Sequence, residues 1–208
     1  MTSRSIVYID GFNLYYGAVR GTPFKWLDLQ RYFLLLRPDD DIQKIRYFTA
    51  FVDGPTKANQ ETYLKALETL SLVETILGKF KAKRVRCGVP KCSFEGDRLF
   101  PTREEKRTDV NIAIHILDDA YQNCCDHFIV VSGDSDLVPA IEKVKERFPG
   151  KRVTIYVPSR NPVRGAAVEL RSAADRHRTL PLALLARAQF PTAIPDGYGG
   201  ILRKPNSW

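Results

Sequence analysis

The stretch FIVVSGDSDLVPAIEKV, Phe128 to Val144, sets the reading of the chain. Its first four residues are apolar without a break, the pattern of a strand buried on both faces. After Gly133 the rhythm changes. Leu137, Ile141, Val144 and Phe148 recur at helical spacing, and Pro149-Gly150 marks a stop. Pro139 is tolerated in a helix only in its first turn, so the helix starts near Asp136. A buried strand therefore turns into an amphipathic helix, and Asp134 and Asp136 sit at the join. Alone, these acids are most cheaply explained as helix caps.

The same alternation runs through the rest of the chain. Ser5–Ile9, Lys44–Val52, Phe80–Cys87, His127–Ser132 and Arg152–Val157 have strand character. The basic residues within Phe80–Cys87 suit an edge strand, where charge discourages pairing between sheets. Helical patterns cover Leu27–Leu36, Thr56–Leu77 and Glu104–Gln122, the last with Thr102-x-x-Glu105 as a capping box. Asn161–Ala174 and Leu180–Phe190 also have helical character. The last eighteen residues, rich in Pro and Gly, have the composition of an irregular tail. Strands alternating with helices predict an α/β domain with a mostly parallel sheet.

The 208 residues suffice for one sizeable core. No apolar run is long enough to span a bilayer, and no separate apolar segment with a cleavage site precedes the first strand. A cytoplasmic chain with no membrane partner is expected. A net charge of +8 suits a polyanionic partner, nucleic acid first among them. Cys87, Cys92, Cys124 and Cys125 are expected to be reduced. Their spacing is not that of a compact zinc knuckle.

Four acids stand at strand ends or helix starts: Asp10 in YIDGFN, Asp109 early in the Glu104 helix, and Asp134 with Asp136. Open α/β sheets bind ligands outside the carboxyl ends of strands, where the strand order reverses. If the first and fourth strands are neighbours there, Asp10 meets Asp134 and Asp136, and Asp109 faces the same crevice. Each acid alone has a local explanation in turn or cap chemistry. Four on one rim would repel one another, and a hard divalent cation such as Mg²⁺ or Mn²⁺ relieves that repulsion.

YIDGFNLYY, EEKRTDVNIAIHIL and VVSGDSDLVPAI, in this order and spacing, resemble the NYN domain of the PIN-like nuclease superfamily, in particular its LabA-like (DUF88) group. The resemblance covers about residues 4–160. It implies a three-layer α/β/α sandwich with a central, mostly parallel sheet, and a metal-dependent ribonuclease with Mg²⁺ or Mn²⁺ as cofactor. It implies residues 1–160 as the catalytic domain, 161–190 as C-terminal helices packed on it and 191–208 as the tail. Asp10, Asp109, Asp134 and Asp136 then correspond to the metal-holding acids, with Asn13 as a polar partner in the catalytic set. The position of His115 is often acidic in the family.

RNA, single-stranded or structured, is the implied partner, with a homodimer left open. Phosphate contacts are expected from Lys106, Arg107 and Arg160, with Ser132 and Ser135 as hydroxyl donors. Further basic residues are Lys79, Lys81, Lys83, Arg84 and Arg86, then Arg98 and Arg103, and Arg164. Phe12, Tyr15, Tyr16 and Trp26 follow the first motif. Aromatics there more often fill a core than stack on bases. A phosphatase of the haloacid dehalogenase type needs a second acid two residues after Asp10, and Phe12 stands there. A non-catalytic nucleic-acid-binding or regulatory module on the same fold is the remaining alternative.

Overall fold

The computed structural model describes residues 2–52, 54–160 and 168–208. The chain runs β1 (Ser3–Asp10), α1 (Gly11–Leu14), a π-helical turn (Tyr15–Val19), α2 (Leu29–Leu36), β2 (Asp40–Thr49), α3 (Lys57–Glu68) and β3 (Val73–Leu77). A hairpin follows, β4 (Lys79–Arg86) and β5 (Leu99–Lys106), and then α4 (Thr108–Tyr121), β6 (His127–Val131), a 3-10 turn (Ser135–Leu137) and α5 (Val138–Arg147). The remainder is β7 (Arg152–Val157), α6 (Val168–Ala173), β8 (Arg176–Thr179), a 3-10 turn (Leu182–Leu184), β9 (Ala193–Pro195) and β10 (Ile201–Arg203).

Six strands form one sheet in the order β3-β2-β1-β6-β7-β8, and every neighbouring pair is parallel. The central strands carry the apolar runs because both of their faces are covered. Along β1, Val7 and Ile9 enter one core, whereas Ile6 and Tyr8 enter the other. The first core is closed by α1, α2, α3 and the C-terminal segment through Leu14, Tyr32, Phe33, Leu64, Leu185 and Phe190. The second is closed by α4, α5 and α6 through Ile112, Ile116, Ile141, Val144 and Leu170. The result is the expected three-layer α/β/α sandwich. Strand order reverses between β1 and β6, so the crevice at their carboxyl ends is a switch point.

Several elements differ from the expectation. Phe80–Cys87 is a strand, but it pairs only with β5, antiparallel, in a two-stranded hairpin outside the main sheet. The helix expected from Glu104 starts at Thr108, because β5 occupies Leu99–Lys106. Thr102 and Glu105 form no capping box. Arg107 takes a left-handed φ of 84° at the helix entry, and the Glu105 carboxylate instead accepts hydrogen bonds from the Thr108 amide and hydroxyl. The long helix from Thr56 ends at Glu68, and its expected last turns are the strand β3. Leu180–Phe190 holds only a short 3-10 turn.

The stretch 191–208 is not wholly irregular. It contains the β9–β10 hairpin, and Trp208 packs on Trp26 and Tyr63 at ring separations of 6.4 and 5.7 Å. Of the expected helix Asn161–Ala174, the part at 161–167, with Arg164, lies outside the described residues.

Candidate active site

Asp10 is the last residue of β1 and is 3% exposed. Its carboxylate caps α1: Oδ1 accepts from the Asn13 amide at 2.9 Å, and Oδ2 accepts from the Asn13 side-chain amide. The Ser132 hydroxyl, just after β6, donates to the same Oδ2 at 3.2 Å. Burial pushes the Asp10 carboxyl above its ordinary range, and the bonds from Asn13 and Ser132 pull it back.

Asn13 also joins the two strands that flank the switch. Its side-chain oxygen accepts from the Gly133 amide at 3.1 Å. Ser132 in turn accepts from the Asp134 amide at 3.1 Å. The expected polar partner of Asp10 is thus a clamp between the ends of β1 and β6. Gly133 itself is not required by space or by a left-handed φ: a Cβ there would meet nothing nearer than 3.5 Å. The tight approach is at Gly17, where a Cβ would fall 2.0 Å from the Pro158 carbonyl oxygen. That glycine lets the π-helical turn lie against the loop after β7.

Asp134 accepts from the Asp136 amide at 3.0 Å and caps the 3-10 turn. Asp136 lies in that turn with no capping role. Asp109 stands in the first turn of α4. Its carboxyl is pushed up to about 6, first by burial and then by the charges of Asp10, Asp134, Glu105 and Asp136. The structure therefore gathers the four predicted acids into one electrostatic neighbourhood. It adds Glu105, which the sequence reading used only as a cap partner.

Among the described residues, no three His, Cys, Asp or Glu side chains lie close enough together to hold a metal ion as they stand. The donor chemistry nevertheless fits a hard divalent cation. Every candidate ligand is a carboxylate oxygen, and the charges that add to burial in raising the Asp109 carboxyl are a repulsion that such a cation relieves. His115 is not on this rim. Its Nδ1 faces the Arg46 guanidinium, its ring lies 5.5 Å from Phe48, and burial lowers its basicity.

The expected phosphate-binding residues surround the crevice unevenly. Lys106 ends β5 and Arg107 is the cap position of α4, both exposed and separated from Asp109 by Thr108. Arg160 follows β7 and donates to the Arg20 carbonyl after the π-helical turn. Ser132 is fully buried and serves the Asp10 network, whereas Ser135 starts the 3-10 turn. Lys79, Lys81, Lys83, Arg84 and Arg86 lie along β4 and are exposed. The hairpin they belong to reaches the rim where Phe80 packs edge-on against Phe12, ring centroids 5.5 Å apart. Arg98 is bound to the Val89 carbonyl near the hairpin tip, and the Arg103 side chain lies outside the described residues.

Trp26 is fully buried and donates to the Pro191 carbonyl, a core role. Tyr15 and Tyr16 are 37% and 56% exposed. With Phe12 they border a cavity of about 420 Å³, walled also by Tyr47, Tyr63 and Trp208. No sequence motif marked this cavity, because its walls come from segments far apart in the chain.

Residues 4–181 match the NYN domain family. A curated relative, the 6-hydroxy-3-succinoylpyridine 3-monooxygenase HspA of Pseudomonas putida, is 30% identical over 99% of this chain and 75% of its own length. A crystal structure of a Vibrio parahaemolyticus protein of unknown function shares the fold, with a TM-score of 0.56 and 20% identity, over 86% of this chain and 93% of that one. Together with the parallel sheet and its acidic rim, the match identifies the chain as a member of the NYN domain family, a PIN-like, nuclease-related family.

Proposed function

We propose that the chain is a metal-dependent ribonuclease that hydrolyses RNA phosphodiester bonds at the β1/β6 switch point. The observation that carries this reading is the convergence of Asp10, Asp109, Asp134 and Asp136, registered by the raised Asp109 carboxyl. Those four acids would hold Mg²⁺ or Mn²⁺. When bound, such an ion supplies a water of low pKa and screens the charge building on the phosphate.

The chain's own residues supply positioning. Asn13 and Ser132 orient the Asp10 carboxylate by donating to it, and these bonds oppose the upward push of burial on its carboxyl. Asn13 also holds the two strand ends at a fixed separation through Gly133. Lys106, Arg107 and the β4 lysines and arginines grip phosphates flanking the cut, and Ser135 and Arg160 border the crevice. In-line attack of water at phosphorus breaks the bond to O3′. One product keeps a 5′-phosphate and the other a 3′-hydroxyl.

A second reading has one observation in its favour. The Pseudomonas putida relative is named as a monooxygenase of 6-hydroxy-3-succinoylpyridine, and an aromatic-walled cavity adjoins the rim here. On that reading the chain takes a small heteroaromatic acid. A third, the non-catalytic module, predicts RNA binding without cleavage.

Labelled single-stranded RNA, single-stranded DNA and duplexes, incubated with Mn²⁺, Mg²⁺ or EDTA, separate the three. The ribonuclease reading predicts cleavage of RNA that needs the metal and is lost in Asp10→Asn and Asp134→Asn. Cleavage that persists in both variants, or binding without any cleavage, overturns it.

A further inference from the structure

The aromatic cavity beside the rim has no part in the ribonuclease chemistry above. Its 420 Å³ falls within the roughly 300–1,000 Å³ typical of small-ligand sites. It opens one strand over from the switch point, between the ends of β1 and β2. Gly11 and Phe12, the residues directly after Asp10, form part of its wall, so the cavity and the acidic crevice share an edge.

The walls are flat and stiff. Tyr47 and Tyr63 meet edge to face at 6.3 Å, and Trp208 packs on Tyr63. Trp208 is held in place from two sides: its amide donates to the Pro205 carbonyl, and the neighbouring Ser207 hydroxyl accepts from Asn59 at 3.0 Å. Tyr16 stands at the mouth with the Arg20 guanidinium 5.3 Å above its ring, and Lys25 lies 6.0 Å over Trp208. Flat apolar walls with cations at the mouth are complementary to a planar heteroaromatic ring that carries an anionic group. Asn59 and Gln60 add polar groups to the lining.

We propose that this cavity receives one nucleobase of the RNA strand whose backbone crosses the acidic rim, with Arg20 and Lys25 facing the adjoining phosphate. The inference rests on the ribonuclease reading for the direction of the strand. The base-binding step itself needs neither metal nor turnover. Aromatic stacking tolerates any base, so the site favours unpaired nucleotides over duplex without strong sequence preference. It also gives the C-terminal segment a function, since Trp208 closes the cavity.

The test is calorimetric titration of the full chain, in EDTA, with AMP, UMP, ribose 5-phosphate and a hydroxypyridine carboxylic acid. AMP and UMP are expected to bind at least about tenfold more tightly than ribose 5-phosphate. Tyr16→Ala, at an exposed position, and Trp208→Ala are each expected to weaken AMP binding by about tenfold or more. Asp134→Asn is expected to retain it. Equal binding of ribose 5-phosphate and AMP, unchanged affinity in both aromatic variants, or binding of the pyridine acid alone overturns the proposal. Absence of RNA cleavage by the wild type, with nucleotide binding intact, would instead remove the ribonuclease reading and leave the base site standing.

Discussion

The acidic rim and the basic β4–β5 hairpin are neighbours built on opposite principles. At the rim, the side chains around Asp10 hold one another. Asp10 is buried under donors from Asn13 and Ser132, and Asn13 and Ser132 are themselves tied to Gly133 and Asp134. On the hairpin, β4 is exposed along nearly its whole length, and five of its eight residues are cations facing solvent. The contrast teaches a division of labour. On the proposed ribonuclease reading, chemistry demands position, so the rim spends stability on clustered like charges. Affinity for a polyanion demands only charge density, which an exposed ribbon supplies with little effect on the core.

Breaking the rim should have the largest effect. Asp134→Asn removes a candidate ligand while sparing the cap, because an amide oxygen still accepts from the Asp136 amide. RNA cleavage is expected to fall by about a hundredfold or more, with the fold intact by circular dichroism. Neutralising the hairpin is expected to act differently. Lys81→Gln combined with Arg84→Gln and Arg86→Gln should weaken RNA binding, with the slope of log affinity against log salt reduced by about one per lost phosphate contact. Thermal stability should be nearly unchanged. A hairpin variant that cut turnover of bound RNA as severely as Asp134→Asn would erase the distinction.

Asn13→Ala probes the clamp. It leaves Oδ2 of the buried Asp10 carboxylate short of one bond, since the alanine amide still donates to Oδ1, and it frees the Gly133 amide. A stability loss of about 1–3 kcal/mol is expected in denaturant titration, together with reduced cleavage.

The smallest effect probes the burial of Asp109 together with the repulsion from its neighbours. The Asp109 carboxyl is raised to about 6 in the folded state, above its ordinary value of 3.8. The folded chain therefore holds a proton that the unfolded chain has released between these values. The associated stability is fully present below the unfolded value and is lost as pH rises through about 6. Asp40, Asp126 and Asp175 are lowered, by Arg37, Arg4 and Lys145 among other groups, and act in the opposite sense only as pH falls below the ordinary carboxylate range. Without metal, the melting temperature of the wild type should therefore fall relative to Asp109→Asn between about pH 4 and pH 7. A pH-independent difference would contradict the raised Asp109 carboxyl, and with it the placement of Asp109 half-buried among the other acids.

The parts of the fold that were legible in the sequence are those buried on both faces. SIVYI, HFIVV and RVTIYV announce β1, β6 and β7 because no water-facing side interrupts them. The illegible parts are half-buried or exposed. Val73–Leu77 is only partly covered at the sheet edge and continues the apolar spacing of α3, so it reads as more helix. Leu99–Lys106 buries no face in the main sheet, and its Thr and Glu imitate a helix start. Arg176–Thr179 is four exposed residues with no apolar signal at all.

The site divides in the same way. Asp10, Asp109, Asp134 and Asp136 were legible because each sits at a change of element. Glu105 was hidden inside a misread helix start, and the cavity was hidden because Phe12, Tyr47, Tyr63 and Trp208 meet only in three dimensions. The question of which acid caps the turn after β6 needed coordinates. Asp134 is the cap, and Asp136 is left available.

The central claim is that the rim acids act together on one divalent cation. A Mn²⁺ titration of the metal-free chain, read by melting temperature at neutral pH, tests it most directly. The account predicts a saturable rise for the wild type that is lost in both Asp109→Asn and Asp134→Asn, although each variant starts from a higher metal-free stability. An unshifted wild type, or equal shifts in all three proteins, would contradict it.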